Sequence, residues 1–212
     1  GEVSEIGYRG EFGITEPRVW GTRFSGTLEL FIEEKEEFNQ DFGIRTFGSS
    51  VGLTRKWFKV LTTGLNFRFE QRNQFRPDTG EIYVCDVNDA ECETRRFLVT
   101  TPSISYDSRD SFIRPKKGGF SSASVDLSQG LENSVDNFLK YQIDARYYWT
   151  PGERLTFALH SRAGHIESFG SSDKVADDQL FFLGGTSDVR GFKENMLRFD
   201  TSGKSMGGHT AI

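Results

Sequence analysis

The sequence predicts an all-β protein and, within that class, an antiparallel transmembrane β-barrel segment of about eight or nine long strands. Three observations carry the prediction. Apolar and polar residues alternate with period two over long runs, the links between those runs alternate between short and long, and all three tryptophans fall at short links.

The composition agrees. Among 212 residues, 23 glycines and 20 phenylalanines stand against five prolines, a balance that suits strands with glycine-marked turns. The net charge of -5 is too mild to indicate a nucleic-acid partner. No apolar run reaches the roughly 18 residues of a transmembrane helix, and the first residues show no signal-peptide pattern. Mean hydropathy alone suggests a soluble chain. A barrel escapes that test, because strands with one lipid-facing and one polar side average to modest hydropathy.

The strands are read in order. Weak alternation covers residues 5–13. From Phe24, a face of Phe24, Gly26, Leu28, Leu30 and Ile32 opposes the mostly polar Ser25, Thr27, Glu29, Phe31 and Glu33. Residues 42–53 alternate weakly; then Leu61, Thr63, Leu65, Phe67 and Phe69 oppose Thr62, Asn66, Arg68 and Glu70. Residues 96–107 and 119–129 follow. Leu139, Tyr141, Ile143, Ala145, Tyr147 and Trp149 then oppose Lys140, Gln142, Asp144, Arg146 and Tyr148, and Leu155, Phe157 and Leu159 oppose Thr156, Ala158, His160 and Arg162. The final residues, "GGHTAI", read as the start of a further strand.

Short links lie near 14–21, 54–58, 109–118 and 150–152, and longer ones include 73–95 and 170–208. Outer-membrane barrels have this asymmetry, with tight periplasmic turns and long extracellular loops. Trp20, Trp57 and Trp149 at the short links suit an interfacial aromatic belt. A soluble up-and-down sheet is the alternative, and strand length, loop asymmetry and tryptophan placement together argue against it.

Two motifs in order carry a family resemblance. "YDSRDSFIRPKKGGFSSASVDLSQG" spans Tyr106 to Gly130, with Asp107, Arg109 and Asp110 in a turn before Pro115, Gly118 and Gly119; "FFLGGTSDVRGF" spans Phe181 to Phe192. Together they resemble the BamA/TamA family of outer-membrane protein assembly factors, the bacterial surface-antigen family. The resemblance covers about residues 106–212, and residues 1–105 fit the architecture without a sharp motif.

The resemblance implies an incomplete, open part of a barrel of about sixteen strands. It implies periplasmic modules before the barrel, accessory lipoproteins around it, and a long extracellular loop, residues 167–208, that folds back into the lumen. On this reading the chain holds the middle strands, without the first strands and the last four or so that form the seam for client insertion. The loop motif comprises Gly184, Gly185, Val189, Arg190, Gly191 and Phe192. Its glycines permit close backbone approach, and a guanidinium inside a barrel requires carboxylate or carbonyl partners. The resemblance implies that Arg190 is held by an acid on a strand after the loop, with Phe192 packed beside it. Glu29, Glu70, Asp126 and Asp144, all expected to face the lumen, are the alternatives.

The charged turn at Asp107, Arg109 and Asp110 reads as Asp-based turn chemistry rather than a catalytic or metal cluster. Cys85 and Cys92 enclose "DVNDAE", a spacing unlike the CxxC pairs of zinc sites, and read as a local disulfide on an exterior loop. Asp86, Asn88, Asp89 and Glu91 lack the calcium-loop layout of an EF-hand. No metal and no cofactor is expected.

Enzymatic readings fare worse. "GSSVG" at residues 48–52 matches a nucleophile elbow in letters only, because it lies within a strand rather than at a strand-turn-helix corner. His160 and Ser161 are adjacent, so in a strand they point to opposite faces and cannot share a proton. That argues against an outer-membrane lipid hydrolase. Two classes remain: an assembly factor that inserts β-barrel clients into the outer-membrane bilayer by strand pairing, and a secretion transporter or pore of the two-partner type. Unfolded β-barrel clients are the partners of the first.

Overall fold

The computed structural model describes residues 2–4, 7–36, 43–75, 94–131, 135–152, 155–170, 174–185, 189–193, 195–201, 203 and 205–211. Its strands are β1 (Glu2–Ser4), β2 (Gly7–Glu16), β3 (Phe24–Glu36), β4 (Gly43–Trp57), β5 (Leu61–Phe75), β6 (Arg95–Asp107), β7 (Gly118–Gly130), β8 (Phe138–Trp149), β9 (Phe157–Ser168) and β10 (Thr210–Ala211). All ten form one antiparallel sheet in strict chain order. Among the described residues β1 and β10 do not pair with each other, so the sheet is open. The eight long strands, β2 to β9, carry 10–15 residues each, more than the usual length in soluble sheets. Leu155, expected to start a strand, lies in the turn before β9, which begins at Phe157.

Register explains why the alternation must hold across the whole sheet. One cross-strand row runs Ile14, Leu28, Val51, Phe67, Thr100, Leu127, Leu139. The next row, one residue along each strand, runs Gly13, Glu29, Ser50, Arg68, Val99, Ser128, Phe138. Side chains of adjacent residues point to opposite faces, so the rows line opposite sides. Ile14, Leu28, Val51 and Phe67 are all exposed, within a contiguous apolar surface that also presents Phe12, Leu30, Phe47, Ile104, Ile143 and Leu159. Water would penalise such a face, whereas a lipid-facing barrel wall requires it.

One defect interrupts the ladder. Pro102 pairs in register with Leu65, but the β6–β7 ladder breaks between Thr100↔Leu127 and Ser103↔Ser124. Proline has no N–H to donate at that position. On the polar side of the break, the Thr101 hydroxyl donates to Asp126 at 2.7 Å, bridging the strands with side chains instead.

The short connections sit at one end of the sheet, and three of the four have a tryptophan beside them: Trp20 in the turn Val19–Gly21, Trp57 at the end of β4 and Trp149 at the end of β8. Trp20, Phe58 and Lys59 have φ of 50, 52 and 80°. Bulky residues pay about 1–3 kcal/mol each for such a conformation, where glycine or asparagine is the easy choice.

Two adjacent residues test the assignment of faces. Ile143→Arg, on the apolar face, is expected to destabilise the folded barrel in bilayers by about 2–4 kcal/mol. Gln142→Arg, on the polar face, is expected to change it by less than about 0.5 kcal/mol. Denaturant unfolding in vesicles measures both, and equal effects would contradict the assignment.

Candidate functional site

The connection from β9 to β10 is the longest in the chain, and it packs back onto the polar face. Two features hold it there. The first is an apolar patch where the polar face breaks its own pattern: Phe138 of β8 and Ile166 of β9 are buried against Val175, with Leu180 and Phe181 beside them. The Phe181 ring lies over Gly164, where an added Cβ would come within 2.5 Å of the ring. Glycine there makes the socket.

The second feature is a charge network. Asp178, in the short helical turn Asp177–Gln179, is bound by two guanidiniums of the sheet. Arg72 of β5 donates through Nη1, and Arg95 of β6 through Nη2 at 2.8 Å. Arg72 also pairs with Glu70 at 2.7 Å, as does Arg68, and Arg95 donates to Asp136 at 2.9 Å. Three guanidiniums thus face three buried carboxylates, with Arg95 buried, Arg72 largely so and Arg68 at the exposed edge. Lys140 completes the clasp, its ammonium donating to the Gln179 carbonyl at 2.8 Å and lying 4.5 Å from the Phe181 ring centroid. Burial disfavours the charged form of Asp178, but Arg95 and Arg72 outweigh it and hold the carboxyl below its ordinary value. Burial pushes the Asp136 carboxyl upward, against the pull of Arg95.

Beyond the clasp the segment turns on itself. Gly184 has a φ of 126°, and an added Cβ would sit 2.6 Å from the Lys193 carbonyl oxygen, so only glycine fits. Leu197 N–H then donates to the Leu183 carbonyl at 2.9 Å. Gly185 and Gly191 also have positive φ, at 95 and 101°. Val189 is half-buried and lines a cavity of about 440 Å³ between the segment and β7–β9.

The expectation for Arg190 fares differently. Arg190 is exposed, Phe192 is 48% exposed, and no described carboxylate reaches the guanidinium. The four alternative acids do lie on the polar face, but each has other partners. Glu29 lies 3.7 Å from Arg9, Glu70 holds Arg68 and Arg72, Asp126 accepts from Thr101, and Asp144 binds Arg146 and His160 at 3.0 and 2.9 Å. The residue that fastens this segment is Asp178, which sequence reasoning missed. Phe138 and Ile166, apolar residues in polar register, were the available signal that something covers that face.

The charged turn is structural. Asp107 accepts from Arg109 through both oxygens, at 2.9 and 2.7 Å, and Arg109 lies between the Phe112 and Phe120 rings. Asp110 accepts from the backbone N–H groups of Lys116 and Lys117, which hold its carboxyl below the ordinary value. Ser108 and Gly119 exchange bonds across the β6–β7 mouth, Gly118 adopts a φ of 95°, and Pro115 lies within the same turn. Cys85 and Cys92 lie outside the described residues. Ser50 lies within β4 and Ser161 on the apolar face opposite His160, so neither has the setting of a nucleophile.

Asp178→Asn is expected to weaken the clasp by about 3–5 kcal/mol, because it leaves two buried guanidiniums short of charge. Limited proteolysis of the 169–209 segment in the complete protein measures the release. Because the carboxyl is depressed in the folded state, docking is complete above the ordinary carboxylate range and is lost only as pH falls through the depressed value. Cleavage unchanged by either treatment would contradict the clasp.

Comparison with known proteins agrees with this architecture. The fold is similar to the crystal structure of BamA from Haemophilus ducreyi lacking POTRA domains 1-3, with a TM-score of 0.75 at 14% sequence identity, over 97% of this chain and 43% of that one. The chain thus spans less than half the length of the protein it matches. The model of the Omp85 superfamily domain matches residues 1–212, and the chain belongs to the Omp85 superfamily.

Proposed function

We propose that this chain forms the middle wall and folded-back loop of an outer-membrane protein assembly factor, which inserts β-barrel clients without catalytic chemistry. The observation that carries the reading is the clasped 169–209 segment, in a chain of this superfamily. Charge pairs, an apolar patch and a glycine socket all hold it against the polar face, an expensive arrangement for a passive channel that needs an open lumen.

In this reading the apolar face meets lipid and the polar face lines the barrel interior. The short turns face the periplasm, where periplasmic modules and accessory lipoproteins belong, and the long loops face the cell exterior. The clasped loop braces the wall while a client strand adds to a seam elsewhere in the barrel, using backbone hydrogen bonds as in other β-augmentation. Arg190 extends from the clasp toward a carboxylate on strands beyond those described. The segment is then held at two points, its base by Asp178 and its tip by Arg190.

The test separates the two points. In the complete protein, Arg190→Ala is expected to lower client insertion into liposomes about tenfold, the loss of one charge-assisted contact. Proteolysis at the base should stay as in the unaltered protein. Normal insertion by this variant would overturn the role given to Arg190, whereas an open conductance with no insertion by the unaltered protein would sink the assembly reading and favour the secretion-pore class.

A further inference from the structure

The short-turn end, which the assembly reading turns toward the periplasm, carries a surface of exposed apolar and basic side chains. Three turns repeat one arrangement, a large apolar tip flanked by exposed cations. Trp20 stands between Arg18 and Arg23, Phe58 lies beside Lys59, and Ile113 precedes Arg114, Lys116 and Lys117. The tips are nearly fully exposed, Trp20 at 96%, Phe58 at 88% and Ile113 at 86%. At Trp20 and Phe58 the backbone also has positive φ, a conformation in which an aromatic residue is a poor choice. Strain kept at an exposed aromatic residue points to something the ring contacts.

The charge of this rim runs against the chain as a whole, which carries -5. Its carboxylates are already engaged. Glu16 accepts from the Arg18 backbone N–H, Asp107 from Arg109, and Asp110 from the Lys116 and Lys117 amides. Cations therefore dominate what the rim presents outward. Rings that sit at the headgroup level, with cations beside them, match a surface that is apolar beneath and negatively charged at its edge.

We propose that the three turns form a binding rim for anionic phospholipid headgroups of the adjoining leaflet, with Trp20, Phe58 and Ile113 seated among acyl chains and the flanking cations on the phosphates. The rim thereby enriches anionic lipid around this part of the wall and fixes its depth in the bilayer. The proposal rests on the reading of β2 to β9 as membrane-spanning.

The complete protein, and its Trp20→Phe variant, would be reconstituted in vesicles of mixed phosphatidylcholine and phosphatidylglycerol, one lipid at a time carrying brominated chains. The fluorescence difference between the two proteins isolates Trp20. Phosphatidylglycerol is expected to quench it more strongly than phosphatidylcholine at equal content. Arg18→Gln with Arg23→Gln should lower that preference by about fivefold per cation removed, with heat-modifiable gel mobility unchanged. Equal quenching by the two lipids, or a preference that survives both substitutions, would overturn the proposal. Quenching by neither lipid in a normally inserted protein would mean that another protein covers the rim, which also overturns it. Failure of the unaltered protein to insert would remove the membrane reading itself and the proposal with it.

Discussion

A single carboxylate, Asp178, decides how the interior face of this sheet is arranged. It comes from the short helical turn Asp177–Gln179 in the β9–β10 connection and sits between Arg72 and Arg95, which belong to neighbouring strands and oppose each other in register. Without it, two guanidiniums on adjacent strands would share a buried site with too little negative charge. Buried ion pairs contribute little net stability compared with apolar packing, yet breaking one is costly. The pair thus does more to specify where the segment lies than to stabilise the sheet. Phe181 over Gly164 and Lys140 on the Gln179 carbonyl then follow from that placement.

The outer face obeys a different constraint. In lipid, every backbone polar group needs an internal partner, which only the continuous ladder supplies. Pro102 shows what a violation requires: the β6–β7 ladder breaks beside it, and Thr101 and Asp126 bridge the strands through side chains on the other face. One wall therefore serves two environments through the parity of its residues. The apolar row through Val51 and Phe67 meets one, while Ser50 and Arg68, one residue away, meet the other.

Much of this was legible in the sequence, because period-two alternation encodes register directly. The antiparallel all-β class, the open sheet and the long strands all followed from local chemistry. The family resemblance rested on two motifs in order, and the superfamily match spans the whole chain. The clasp was not legible for a physical reason. Asp178 meets Arg72 and Arg95 across 106 and 83 residues of sequence, and nothing in "ADDQL" distinguishes Asp178 from Asp177, which is exposed. The glycine-rich motif points to Arg190, whereas the fastening lies a dozen residues earlier, at Asp178. Phe138 and Ile166 were visible breaks in the polar register, but such a break says only that a face is covered and leaves open by what.

Asp178 and Arg95 act as one unit in fastening the loop. A double-mutant cycle of Asp178→Asn and Arg95→Gln in the complete protein, read as the free energy of loop release from protease accessibility, tests it most directly. Non-additivity is expected, with a coupling of about 0.5–3 kcal/mol, because either change alone already breaks the pair. Strictly additive effects would mean that the two residues act independently and that something else holds the loop on the wall.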